Sequence, residues 1–219
     1  MTDFFFAISI FLLIHLIPAV RPLRVGLARV FGERGYIFLF SGVSIALTFW
    51  LGWAYSEAPY QELWPYQEWA RQLVLGVMLF ACILIVAGLS SANPFSLTMT
   101  GKVFDPAQPG IVALTRHPPI WGLGIWSGSH VLVNGDLASV VLFGLLTLLC
   151  VVGPFSVEKR RRRAMGDEAW QVLGAEIIKT SLPGILVQIG IWRLVGGLCL
   201  YGSLLYLHET VIGVSPLAG

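Results

Sequence analysis

The sequence predicts an all-α protein, a polytopic transmembrane helical bundle of about six spans with an amphipathic helix on its cytoplasmic surface. Composition is the first reason. Of 219 residues, 56% are hydrophobic and only 12% are charged, and mean hydropathy is +0.78. A soluble domain is nearer a quarter charged. Second, apolar runs recur at close to the roughly 20 residues that a helix rising about 1.5 Å per residue needs to cross hydrocarbon. Third, the basic residues fall into alternate connections, as the positive-inside rule requires. At this length a single membrane domain over residues 1–219 is the economical arrangement.

The apolar segments run from 3 to 20, 36 to 54, 72 to 90, 118 to 133, 137 to 156 and 185 to 207. The first lacks a basic leader region, and Pro18–Ala19–Val20–Arg21 is a poor cleavage site, so it is read as a retained span. The fourth is the shortest. With the turn Asn134–Gly135–Asp136 and the fifth, it forms a helical hairpin.

Charge tests this map independently. Arg21, Arg24, Arg29 and Arg34 lie between the first two segments, Lys102 and Arg116 between the third and fourth, and Lys159 to Arg163 with Lys179 between the fifth and sixth. Twelve of the fourteen basic residues therefore share one side, expected to be the cytoplasm, with both termini outside. Trp50, Trp53, Tyr55, Tyr60, Trp64, Tyr66 and Trp69 crowd the second connection, where an outer headgroup layer is expected. Asp167 to Lys179 mixes charge with Trp170, Val172, Leu173, Ile177 and Ile178, which suits a helix lying on the membrane surface. The basic run at 158–163 reads as a topology determinant beside anionic lipid. The expected surroundings are a lipid bilayer and an apolar small molecule, with no nucleic acid.

Chemistry in a bilayer is sought at its polar residues. Cys82, Cys150 and Cys199 are isolated in apolar runs and read as small hydrophobes. The four histidines, His15, His117, His130 and His208, all fall within or beside a span. One such imidazole is as often a helix–helix hydrogen bond as a ligand; four together favour ligation, and two across one iron would make a membrane haem site. Arg193 stands about eight residues, or roughly 12 Å, into the sixth segment, either snorkelling or pairing with a cofactor carboxylate. The densest cluster is TRHPPIWGLGIWSGSHVLVNGD, from Thr115 to Asp136. Helix packing explains Gly122, Gly124, Ser127 and Gly128 but not Arg116, His117, Trp121, Trp126 and His130 together.

On these strings, with HLIPAVRPLR early, ANPFS after the third segment and YLHETVIGVSPL at the end, the chain resembles the NnrU family of membrane proteins. That family includes the plant 15-cis-zeta-carotene isomerase. The resemblance implies haem b held by two histidines, which match His15 and His130 by position. It also implies redox-dependent cis–trans isomerisation of a carotenoid-like apolar substrate, with Arg116, His117 and Arg193 as candidates for holding propionates or substrate. Where the isomerase branch has a cysteine used in ligand exchange, this chain has Ser127. The bacterial branch implies instead an accessory role in nitrite and nitric oxide metabolism. Depth sets one constraint: His15 is about 9 Å, and His130 about 18 Å, from the basic end of its segment, which keeps His117 as an alternative ligand. The RHPxxxG string also resembles membrane methyltransferases that use S-adenosylmethionine, although their paired acidic residues are reduced here to Glu158 followed by Lys159.

Overall fold

The structure, a computed structural model, describes every residue except 178, 179, 218 and 219, and every side chain among them except that of Ala19. Helices α1 (Thr2–Leu16), α2 (Arg21–Ser56), α3 (Glu68–Ser90), α4 (Pro118–Val133), α5 (Leu137–Met165), α6 (Asp167–Glu176), α7 (Leu182–Ile189) and α8 (Ile191–Ile212) follow in order, with 3-10 turns at Ile17–Ala19 and Gly110–Ala113. The fold is all-α. Four helices, α2, α3, α5 and α8, are long and apolar enough to cross a membrane. The chain forms two compact units, Met1–Trp64 with Gly135–Leu142, and Pro65–Asn134 with Phe143–Gly219.

In the first unit α1 stops at Leu16 rather than near 20. Pro18 explains the difference: it lacks the N–H that would continue the α-helical ladder, so Ile17–Ala19 tightens into a 3-10 turn and the backbone becomes extended at Val20. The basic stretch after it, expected as a loop, is the helical start of α2. Gly32 breaks that helix with φ 71° and ψ 160°, backbone that only glycine adopts cheaply. Arg24 pairs with Glu33 across the break and sits 5.8 Å from the centre of the Tyr36 ring. The unit closes on itself through the turn before α5. Gly135 O accepts from the backbone N–H groups of Leu63 at 2.7 Å and Trp64 at 3.2 Å, and Gln61 O accepts from Leu137 at 2.9 Å. Tyr55 Oη and Ser139 Oγ, 2.7 Å apart, share a further hydrogen bond.

In the second unit α3 lies between α4 and α8, and glycines set the crossings. A Cβ on Gly122 would stand 2.8 Å from Ala81 O, and one on Gly197 would stand 2.9 Å from Ile83 Cα. Helices in lipid gain from this close backbone approach, since burying apolar side chains offers them no advantage over the lipid tails. The small-sided face of α4 expected from the sequence is therefore a packing face. Below it, Leu84, Ala87, Phe95, Ile111, Val112, Trp170, Ile185 and Ile189 form one buried cluster that draws the 91–117 connection, α6 and α7 together. The sixth apolar segment is not one helix. Gly190, at φ 83° and ψ 148°, divides it into α7, whose Ile185 and Ile189 enter this cluster, and α8. Helix α6 occupies most of the stretch expected to be amphipathic; Ile178 and Lys179 lie outside the described residues. All three cysteines are free, Cys82 buried as expected but Cys199 exposed.

A side chain at residue 135 has no room, because its Cβ would fall 1.9 Å from Trp64 O and 2.8 Å from Trp64 Cδ1. Gly135→Ala is predicted to cost about 1–3 kcal/mol, read as a lower thermal midpoint of the detergent-solubilised protein. An unchanged midpoint would mean that the 57–64 connection does not depend on this turn.

Candidate functional site

Each histidine can be assigned a working tautomer from its hydrogen bonds. A carbonyl oxygen only accepts, so a ring nitrogen facing one must carry the proton and the other keeps its lone pair. His15, in the last turn of α1, has Nδ1 2.7 Å from Phe11 O. His130, in the last turn of α4, has Nδ1 2.8 Å from Trp126 O. His208, near the end of α8, has Nδ1 2.6 Å from Val214 O. In all three the Nε2 lone pair is left over. Metal-bound histidines are commonly held this way, with one nitrogen tied to a carbonyl so that the other is aimed and made more basic.

Aromatic rings surround the first two. His15 stacks on Phe11 at 4.0 Å between ring centres and meets the edge of Phe40 at 5.8 Å. Phe40 in turn stacks on Tyr36, whose buried hydroxyl has no hydrogen-bond partner. His130 is flanked by Trp126 at 5.6 Å and Phe143 at 5.1 Å. One helical turn earlier Ser127 is fully buried, with Oγ 3.0 Å from Leu123 O and 3.0 Å from Thr147 Oγ1. Its hydroxyl is spent on protein partners. His15 belongs to the first unit and His130 to the second.

Arg116 and His117 behave differently, and they meet a residue that did not figure among the candidate ligands. His117 caps α4, where Pro118 and Pro119 force the start of the helix. Its ring is buried and its Nε2 lies 3.2 Å from Glu158 Oε1, so this nitrogen donates, and Nδ1 is buried without a partner among the described residues. Arg116 Nη1 is 3.6 Å from the same carboxylate oxygen. The Arg116 guanidinium also lies over Phe95 at 5.0 Å and Trp170 at 5.7 Å. Asn93 fixes the approach by donating from Nδ2 to Arg116 O at 2.9 Å. Glu158, forty-one residues from His117, stands beside the basic run and entered the sequence reading only through the methyltransferase resemblance.

Arg193 is not deep in a span. Because α8 begins at Ile191, Arg193 stands in its first turn, where Nη1 donates to Ile189 O at 2.7 Å and Nε to Ser90 Oγ at 3.1 Å. It caps the carboxyl ends of α7 and α3, positions that favour a cation. Among the described residues no group of three or more His, Cys, Asp or Glu side chains is placed to hold a metal ion. That bears on sites of the zinc kind; a haem iron takes only one or two protein ligands.

A family model described as NnrU protein matches residues 3–216, and the chain belongs to that family. No curated protein and no solved structure matches it.

If Glu158 holds Arg116 and His117 as described, Glu158→Ala removes the acceptor from a buried imidazole, whereas Glu158→Gln keeps one. The alanine variant is expected to lose about 1 kcal/mol of stability, a figure discounted because the carboxylate is a third exposed, and the glutamine variant less. Thermal unfolding of the two side by side measures this. Equal midpoints would remove the contact from the fold's support.

Proposed function

We propose that this NnrU-family chain is a haem b-binding membrane protein, that His15 and His130 would hold the iron, and that it isomerises a cis double bond in a carotenoid-like apolar substrate. The observation that carries the reading is shared by the two histidines: each donates Nδ1–H to the carbonyl four residues before it, leaving Nε2 free beside aromatic side chains. That donor set fits a ferric or ferrous haem. The haem would supply a redox-active iron. The chain's own residues aim the two imidazoles, and aromatic walls suit a flat ring system or a polyene entering from lipid. Ser127 does not replace a thiol ligand, because its hydroxyl is enclosed and bonded within the helix pair. The guanidinium groups of Arg116 and Arg193 already meet protein acceptors, so they enter as secondary candidates for propionate contacts, as does His117 through its unpartnered Nδ1.

In the same reading the shorter apolar helices α1 and α4 complete a six-span bundle with the four long ones. The basic connections face the cytoplasm, the termini lie outside, and α6 rests on the membrane surface.

A second reading draws on Glu158. Arg116 and His117 converging on one carboxylate, beside a cleft of about 450 Å³, suit the retention of a zwitterionic cofactor such as S-adenosylmethionine. Absorption spectra of the purified protein, oxidised and reduced, separate the two. A Soret band is expected for the first reading. His15→Ala and His130→Ala are each expected to lower bound haem severalfold and to abolish isomerisation of the polyene. Undiminished haem in both variants would remove the assignment, and colourless protein that binds S-adenosylmethionine would favour the second reading. Colourless protein that binds neither, whose loss impairs nitric oxide reduction, would point to the accessory role.

A further inference from the structure

Past residue 156 the apolar part of α5 ends, yet the helix continues to Met165. On this extension Phe155, Lys159, Arg162 and Arg163 fall at helical spacings of four, seven and eight, and so share one face. The same four side chains line a cleft of about 450 Å³ with Glu158, Asp167 and Trp170. Helix α6 follows α5 after Gly166, whose φ of 91° turns the chain, and contributes Asp167 and Trp170 to the cleft.

The charges in the cleft are not all balanced. Arg162 Nε is held by Asp167 Oδ1 at 2.6 Å. Glu158 is held by Arg116 and His117. Among the described residues this leaves Lys159 and Arg163 with no anionic partner, one helical turn apart on one wall. The rest of the lining is apolar and well placed. Phe155 is 73% exposed at the edge where the hydrocarbon-type sequence stops, and Trp170 is buried behind the opening. A free anion would need only the cations. Two cations directly above an exposed aromatic ring, at the end of an apolar helix, match a molecule with a phosphate and a greasy tail.

We infer that this cleft binds the headgroup of an anionic phospholipid, its phosphate between Lys159 and Arg163 and the start of its acyl chains against Phe155. The site does not include His15 or His130 and does not depend on haem; it meets His117 only through Glu158. It also makes the basic run more than a diffuse topology signal, because of its three cations that line the cleft two have no acidic partner among the described residues.

The test uses the full chain, delipidated in detergent and titrated with phosphatidylglycerol, phosphatidylcholine or inorganic phosphate, with thermal midpoint and native mass spectrometry as readouts. Phosphatidylglycerol is expected to raise the midpoint and to leave one retained lipid. The double variant Lys159→Gln with Arg163→Gln is expected to weaken binding at least about tenfold. Arg29→Gln with Arg34→Gln, on another basic segment, should bind as wild type, and Lys159→Arg with Arg163→Lys should retain the lipid. If the glutamine pair fails to accumulate, the two single variants carry the same comparison. An equal response to phosphatidylcholine, or equal losses in the two glutamine pairs, would overturn the site. Inorganic phosphate reproducing the whole shift would overturn the lipid in favour of a free anion.

Discussion

A polar group inside hydrocarbon has no water to turn to, so its partners must come from the chain itself. A helix meets this for its backbone, but an imidazole on it adds one donor and one acceptor that the helix does not provide for, as at His15 on α1 and His130 on α4. In both helices the donor is spent on the carbonyl one turn back, and the acceptor remains. The same economy runs through the second unit. Ser127 and Ser90 return their hydroxyls to carbonyls four residues earlier, and Arg193 turns its guanidinium onto the open ends of α3 and α7. Against this background of internal satisfaction, the few polar atoms left without a partner stand out as places where something else is expected.

The long apolar helices were legible from hydropathy. Helices α3 and α4 lie where apolar runs were marked, and the glycines of α4 pack against neighbouring helices as its composition implied. The departures share a physical cause: hydropathy windows do not see backbone conformation. Pro18 ends α1 early, and Gly190 cuts one apolar run into two helices by adopting a positive φ. The same cut carried Arg193 from an apparent mid-span position to a helix start, which replaces a buried cation by an ordinary end cap. The basic connection after α1 proved helical because arginine, leucine and alanine are good helix formers whatever their charge.

The candidate histidines were named from the sequence, whereas the pairing of His117 with a carboxylate was not. His15 and His130 could be singled out because a histidine is costly in lipid wherever it occurs. Glu158 sits at the start of a run of five basic residues, where a lone acid reads as local charge balance. Only the fold brings it to Arg116 and His117, by returning α5 past the start of α4. Trp170 was likewise read as part of an interfacial face, yet it is buried against Phe95 from the ANPFS string, with ring centres 5.0 Å apart. That string owes its character to packing beneath α6.

The strap formed by residues 61–64 against Gly135 and Leu137 has a consequence for biogenesis. The first two helices leave the ribosome long before their partner turn exists. The whole of 65–134 must be synthesised before Gly135 can accept from Leu63 and Trp64. Until then the aromatic connection between α2 and α3 has open backbone donors. Maturation of the amino-terminal half is thus timed by the arrival of the hairpin between α4 and α5, a non-local closure of the kind that slows assembly and leaves a nascent chain exposed to quality control.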